Sequence, residues 1–410
     1  MLYLSSQSTL PVVTPEHLLS EADRCVKCGL CLPECPTYRL LTSEADSPRG
    51  RISLMQALAR EELDLESHIE THLDRCLGCR ACEAACPSGV RYGALLDASR
   101  EAITKRRRGR ALLRRILAQL AYPRRFALWS RLYRGLSHIG LTTLLRRLPL
   151  PRLQRLLAMA EQITPNPSVK PDLYPATQPT GRLLQLFTGC VGSQVEQRLI
   201  DTTIHLLNRL GYAVEIPEKQ ACCGALHRHN GFADEAEQLC NANREQTQKS
   251  NAQHLVTLAS ACHLELLENQ ASHLPLISMT DFLLQLPADE WPPLQPLEKR
   301  AAIHIPCSAR HDRSFELLAK IPGLALTELP ENNICCGAAG SYMLTQPELS
   351  LRLGDAKITH LKHCRADLLI TGNTGCAMQF RQLIKDADLP VEVLHPIELI
   401  SRQWNDSPGL

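Results

Sequence analysis

Aromatic side chains are scarce in this chain of 410 residues: Phe, Trp and Tyr make up 4% of it. Its cores must therefore be built from Leu, Ile, Val and Ala rather than from packed rings. No apolar run approaches the roughly 20 residues that span a bilayer, which argues against a transmembrane protein. The opening stretch MLYLSSQSTLPVV has neither a basic region nor a long apolar one, so no secretory signal is read. Cytoplasmic residence is the expectation, and it suits thiolates that must stay reduced. A GxGxxG fingerprint is missing, so no dinucleotide or flavin site of the usual kind is expected. Nor is there an acid/base pair suited to taking a hydride from a 2-hydroxy acid. His227, His229, His263 and His304 sit near cysteines and read as surface or hydrogen-bonded histidines, so no catalytic residue is assigned. Acidic residues are missing from one whole segment: between Ala102 and Ala160 there are 15 Lys or Arg and no Asp or Glu. The full chain has a net charge of only +2, so a cationic segment is set against an acidic remainder.

Cysteine is abundant, 18 in all, and it falls in clusters. The first run is Cys25, Cys28, Cys31 and Cys35-Pro36; the second is Cys76, Cys79, Cys82 and Cys86-Pro87. Both read C-x2-C-x2-C-x3-C-P. In that spacing three thiolates wrap one iron–sulfur cube, while the fourth, ahead of Pro, reaches the other. One [4Fe–4S] cluster is therefore assigned to Cys25, Cys28, Cys31 and Cys86, and a second to Cys35, Cys76, Cys79 and Cys82. Zinc would want two separated pairs and has no use for a third Cys two residues on. A disulfide framework fits less well still, because adjacent triplets would compete for partners.

Along the chain, residues 1–18 read as a lead-in, with Thr14 capping a helix that starts at Pro15. Residues 19–103 form the dicluster domain. Its insert, with Ser47-Pro48-Arg49-Gly50-Arg51, reads as mostly helical, through Arg60 and again from Glu66 to Leu73. Arg49 and Arg51 are candidates to donate hydrogen bonds to a cluster or to dock a partner; a solvated loop pair is the alternative. Residues 104–182 form a basic amphipathic segment and a Pro-rich linker (Pro165, Pro167, Pro171, Pro175, Pro179). In it Leu112, Leu113, Ile116, Leu117 and Leu120 recur at helical spacing. Such helices suit an anionic membrane surface or quinone-side docking, an acidic groove on a partner, or a solvated linker. No nucleic-acid reading motif accompanies them, so no nucleic acid is expected.

Two similar α/β units follow, at 183–293 and 298–404. Each has an apolar strand ending in Cys, a Cys-Cys-Gly, and another strand ending near Cys. The sets are Cys190, Cys222, Cys223 and Cys262, then Cys307, Cys335, Cys336 and Cys376. Strands alternating with helices imply parallel βαβ units, with the cysteines just past strand ends, where open sheets place ligands. These eight residues read as ligands of an additional cluster or metal, as redox-active thiols, or as small buried groups. Cys240 and Cys364 fall outside the pattern and read as structural.

The Cys-Cys-Gly repeats resemble the cysteine-rich domain of heterodisulfide reductase subunits and of iron–sulfur subunits of flavin dehydrogenases. That family pattern ends in C-x-x-C; here Glu265 and Gln379 stand in place of the last Cys. The N-terminal module resembles the α-helical ferredoxin of succinate dehydrogenase-type subunits. Taken whole, with Arg24 to Cys31, Asp46 to Arg51, Cys76 to Glu83 and Asn373 to Cys376, the chain resembles the glycolate oxidase iron–sulfur subunit family. The resemblance implies two [4Fe–4S] clusters and no flavin in this chain. It also implies FAD-containing glycolate oxidase partner subunits that oxidise glycolate to glyoxylate, with D-lactate a second substrate. Electrons would pass to a membrane quinone, with the chain peripherally held at the inner membrane. Alternatives are a D-lactate or anaerobic glycerol-3-phosphate dehydrogenase subunit, a thiol–disulfide reductase, and a zinc protein that binds nucleic acid.

Overall fold

The computed structural model describes residues 15–63, 67–106, 110–164, 169–291 and 293–404. Thr14, most of the lead-in, Glu66, and Pro165 and Pro167 lie outside the described residues. The chain is helix-rich, with two mainly parallel sheets, and its N-terminal third contains no strand among the described residues.

The N-terminal module is held by a core of Leu18, Ala22, Ile52, Met55, Leu58, Ile69, Leu73, Val90, Leu95 and Leu96. These come from the helices Pro15–Ala22, Pro48–Ala59, Ser67–Asp74 and Tyr92–Arg106, which pack their apolar faces inward. The helix Pro48–Ala59 starts sharply for two reasons. Pro48 is pre-set for the first helical position, and the Ser47 Oγ accepts the Gly50 N–H at 3.0 Å. The sequence reading places the end of this helix near Arg60; the structure begins it at Pro48, so Arg49 and Arg51 lie on the helix and not in a loop.

The first sheet has β1 (Leu173–Tyr174), β2 (Arg182–Phe187), β3 (Tyr212–Glu215), β4 (Leu255–Thr257) and β5 (Leu276–Ser278), in the order β1-β3-β2-β4-β5. All neighbours are parallel except β1, which runs antiparallel to β3. The second has β6 (Arg300–His304), β7 (Ala325–Glu328), β8 (Leu368–Thr371) and β9 (Glu392–Leu394), all parallel, in the order β7-β6-β8-β9. Leaving β1 aside, the two orders are the same.

Two differences from the sequence reading have physical causes. β1 falls in the stretch read as linker, because two residues are too short to show a period. β7 lies at a sheet edge and is mostly exposed, so its residues Ala-Leu-Thr-Glu carry no buried alternation. In the helix Ala111–Leu120, read as part of a basic amphipathic segment, Leu117 is buried while Leu112 and Ile116 point outward.

The two sheets share one core, in which Leu184, Leu186 and Val214 meet Ile303, Leu368 and Ile370. The last helix, Pro396–Gln403, packs back on the helix Gln197–Arg209 of the first unit. Ser260 N–H donates to the Gly372 carbonyl at 3.0 Å, so the carboxyl ends of β4 and β8 meet. Among the described residues no helix is long and apolar enough to cross a membrane.

Gly50 gives a direct test of the tight turn before the cluster module's central helix. A Cβ there would collide with the Glu44 carbonyl oxygen, which is backbone and cannot swing away. Gly50→Ala should therefore destabilise the chain by about 1–3 kcal/mol. A denaturation midpoint unchanged from wild type would contradict this packing.

Candidate functional site

Both cysteine runs use the same backbone trick. In the first, Lys27 and Gly29 have φ of 56° and 88°; in the second, Gly78 and Arg80 have φ of 65° and 56°. These are equivalent positions, flanking the second Cys of each run. Left-handed residues on either side of a Cys turn the chain sharply and so let closely spaced thiols face one point. Lys27 and Arg80 hold this conformation without being glycine, a strain that clusters at functional sites.

The second run borders a partly open cavity lined by Cys35, Cys76, Cys79 and Cys82 together with Thr37, Arg51 and Tyr92. This is the set expected for one cluster, with Cys35 contributed by the first run. Sulfur is met by donors: the Tyr92 hydroxyl lies 3.6 Å from Cys76 Sγ, and the Gly78 N–H 3.5 Å from it. Cys35 Sγ lies 3.3 Å from Thr37 Oγ1. Burial pushes the Cys79 and Cys82 thiols well up, with neighbouring thiols adding to the effect. Such groups stay protonated until a cation displaces the proton, so loading the site must release protons. Four sulfurs around one partly open cleft, with donors beside them, fit an iron–sulfur cluster.

Arg51 separates from Arg49 here. Arg51 is fully buried at 0% exposure and lines the cavity. Its guanidinium donates to the His72 carbonyl at 2.7 Å, Thr37 Oγ1 at 2.9 Å and Asp46 Oδ1 at 3.1 Å. Burial alone would weaken its hold on the proton, but Cys76, Tyr92, Cys35 and Asp46 outweigh that, and the charge stays. Arg49 is half-buried: it pairs with Glu44 at 2.6 Å and donates to the Lys27 carbonyl of the first cysteine run at 3.2 Å. The sequence treats the two alike, because charge and spacing do not reveal which helix face turns inward.

The first run is more open. Cys28 is exposed, and Cys25, Cys31 and Cys86 are half-buried. Cys25 and Cys86 border the same apolar core. Burial raises the Cys31 thiol, and Cys25 and Cys35 add to it. Val26 and Leu30 are exposed beside Cys28, an apolar rim around these thiols.

In each α/β unit the four cysteines form a chain of thiol contacts. In the first, Cys190 Sγ lies 3.2 Å from Cys222 Sγ. Hydrogen bonds from Cys190 and Cys223, with a further one from His227, draw the Cys222 thiol well down; Cys223 in turn contacts Cys262. In the second, contacts run from Cys307 to Cys335, to Cys336 and to Cys376. His304, which sequence reading left among ordinary histidines, has a ring nitrogen within 4.8 Å of both Cys336 and Cys376 Sγ. Its Nδ1 lies 2.9 Å from Thr371 Oγ1, and burial, then Lys357, pushes its pKa down to about 3. His304 pairs with Thr371 across the sheet, as Phe187 pairs with Thr257 in the first unit. Only the second unit therefore has an imidazole at this position.

The two positions that lack the last family cysteine are also alike. Glu265 takes Arg228 Nε at 2.7 Å. The Gln379 carbonyl oxygen accepts from Arg155, and its amide donates to Ser350 O at 3.2 Å. Each side chain is buried and tied to a guanidinium. Arg155 comes from the basic segment, and nothing in the local sequence marks it as buried. Cys240 donates toward the Cys223 carbonyl at 3.6 Å, and Cys364 ends the helix Pro347–Cys364. A second cavity, of about 270 Å³, lies at the carboxyl ends of β2 and β4 and is lined by Cys262, Glu196 and Thr374.

The module and the second unit touch directly. Leu77 and Cys79 pack with Cys307, Cys335 and Tyr342, and Cys307 adds to the upward shift of Cys79.

Comparison with known proteins agrees with this division of the chain. A family described as "4Fe-4S dicluster domain" matches residues 21–90, and one described as "Cysteine-rich domain" matches 184–267 and 301–381. The chain is 33% identical to the glycolate oxidase iron-sulfur subunit of Escherichia coli (strain K12), over 86% of this chain and 88% of that one. It is 30% identical to a probable glycolate oxidase iron-sulfur subunit of Bacillus subtilis (strain 168), over 92% of both. The chain belongs to the glycolate oxidase iron–sulfur subunit family. Similarity extends beyond this family to a fumarate reductase (CoM/CoB) subunit of Methanothermobacter marburgensis, 24% identical over 99% of this chain and 78% of that one. As a member of the glycolate oxidase iron–sulfur subunit family, the chain is an iron–sulfur electron-transfer subunit of an oxidoreductase.

Removing Arg51 tests the buried pair beside the cavity. Arg51→Met leaves Asp46 buried with one of its guanidinium partners gone, and should cost about 3–5 kcal/mol. Arg49→Met, whose half-buried pair with Glu44 is reached by solvent, should cost less, about 1 kcal/mol. Equal denaturation midpoints for the two variants would contradict the difference in burial.

Proposed function

We propose that this chain is the electron relay of a glycolate dehydrogenase complex. Its partners are FAD-containing subunits that oxidise glycolate to glyoxylate, with D-lactate a second substrate. The acceptor is a membrane quinone. The observation that carries this reading is the cavity lined by Cys35, Cys76, Cys79 and Cys82, with a buried Arg51 in its wall.

Cys25, Cys28, Cys31 and Cys86 hold one [4Fe–4S] cluster; Cys35, Cys76, Cys79 and Cys82 hold the other. A bound cluster supplies a one-electron change with little rearrangement. The protein's part is positional and electrostatic. Arg51 keeps a positive charge at the cavity wall, which favours the reduced state there. The Gly78 N–H and the Tyr92 hydroxyl are aimed at Cys76 sulfur. Exposed Val26 and Leu30 beside Cys28 give a flavoprotein an apolar foothold at the entry side. The contact of Cys79 with Cys307 supports a continuation into the second cysteine-rich domain.

The domains are taken as 19–103 for the dicluster module, 104–182 for the basic segment and linker, and 183–293 and 298–404 for a duplicated cysteine-rich domain. The shared strand order supports the duplication. Cys190, Cys222, Cys223 and Cys262, with Cys307, Cys335, Cys336 and Cys376, are reserved for a further cluster or metal. A second reading, thiol–disulfide chemistry, is favoured by one observation, the 3.2 Å approach of Cys190 and Cys222 sulfurs.

The test is an anaerobic purification of the complex followed by dye reduction with glycolate, D-lactate and glycerol 3-phosphate. Glycolate-dependent reduction is expected, lost in Cys35→Ser while the flavoprotein alone is still reduced by glycolate. Response to glycerol 3-phosphate and not to glycolate would overturn the substrate. Disulfide reduction by the isolated chain, without any flavoprotein, would favour the second reading.

A further inference from the structure

The basic segment has two sides with different chemistry. Part of it is tied to the acidic body of the protein, through the inward Arg110 and the more exposed Arg114 and Arg124. Arg110 pairs with Glu70 at 2.8 Å and Asp74 at 2.6 Å, Arg114 pairs with Glu235, and Arg124 pairs with Glu218. Arg155 is buried on Gln379. On its outer side, Arg115, Arg131, Arg134 and Arg147 make no ion pair among the described residues.

Between those outer charges stand bulky apolar side chains. Leu112 is 71% exposed, Leu128 66%, Trp129 50% and Ile139 74%. Ile116, Leu132 and Leu144 join them. They come from three consecutive helices, Ala111–Leu120, Pro123–His138 and Leu141–Arg146, and the turn after the second. A monomer in water seldom leaves so many large apolar groups outward on one segment, and such a patch marks a contact surface.

We infer that the outer side of residues 111–147 is an in-plane docking surface for an anionic lipid bilayer, with Leu128, Trp129 and Leu132 as its apolar wedge. The inference rests on the relay reading, which needs an acceptor in a membrane, and adds the residues that meet the lipid. Three observations favour lipid over a protein groove. No acidic residue interrupts the segment, so its whole outer field attracts anionic headgroups. The apolar groups are spread over several helices rather than aligned in one stripe, which suits a planar and deformable surface. Leu128, Trp129 and Leu132 lie within two helical turns of one another, and Arg125 and Arg131 flank them. Leucine and tryptophan then enter the headgroup boundary while guanidinium groups stay on phosphate. Among the described residues no helix is long and apolar enough to cross, and the proposed contact is lateral.

Flotation of the full chain, purified without oxygen, tests this. Vesicles of phosphatidylglycerol with phosphatidylethanolamine are compared with vesicles of phosphatidylcholine alone. The wild type should partition to the anionic vesicles about tenfold more strongly than to the neutral ones. The variant L128Q/W129Q/L132Q should lose about tenfold in partition while keeping its iron content and thermal midpoint. The difference in emission between wild type and Trp129→Phe should shift to the blue on adding anionic vesicles. The inference is overturned if an iron-loaded wild type stays with the aqueous phase at low salt. It is overturned equally if the triple variant floats like wild type, because charge alone then suffices. A Trp129 emission already blue-shifted in the assembled complex, and unmoved by vesicles, would assign the face to a protein partner instead. Iron content reports separately on the relay reading, so either can fail without the other.

Discussion

The buried ion pair of Arg51 and Asp46 is the constraint on which the cluster module is built. Its atoms reach three separate pieces of chain: Thr37 after the first cysteine run, Asp46 ahead of the central helix, and the His72 carbonyl ahead of the second run. Asp46 in turn accepts from Arg75, the residue before Cys76, at 3.3 Å. The pair therefore fixes the separation of Cys35 from Cys76, two thiols placed 41 positions apart in the sequence. Burying such a pair is expensive and rarely the cheapest route to stability. Its value here is geometric and electrostatic: it joins the two runs and leaves one guanidinium at the cavity wall.

Around that module the two cysteine-rich units are not equivalent. Their strand orders agree, and each ends in thiols at the carboxyl edge of its sheet. Yet only the second packs its first cysteine, Cys307, against Cys79 of the module, and only the second has His304 where the first has Phe187. The first instead draws Cys222 toward the thiolate through neighbouring thiols. Both have exchanged the last family cysteine for a side chain held by an arginine. Two similar scaffolds have thus been given different local chemistry, as expected when function resides in grafted side chains rather than in the fold.

The sequence carried the elements whose signal is local. The C-x2-C-x2-C-x3-C-P spacing and the apolar strands β2, β4, β6 and β8 could all be read. Features that depend on tertiary placement could not. β7 is an exposed edge strand with no hydrophobic period. Arg51 and Arg49 look alike until the helix face is known. Arg155 reads as one more surface charge in a basic run, although it is buried on Gln379. His304 is unremarkable in sequence and acquires neighbours only because β6 and the Cys-Cys-Gly loop converge.

The central claim is that eight cysteines of the N-terminal module hold two separate cubes. The most direct measurement is iron and acid-labile sulfide on the anaerobically purified chain, wild type against the double variant Cys35→Ser, Cys76→Ser. The account predicts about eight irons for the module in wild type and about four fewer in the variant, with sulfide falling in step. Equal iron in the two proteins, or zinc in place of iron, would contradict it.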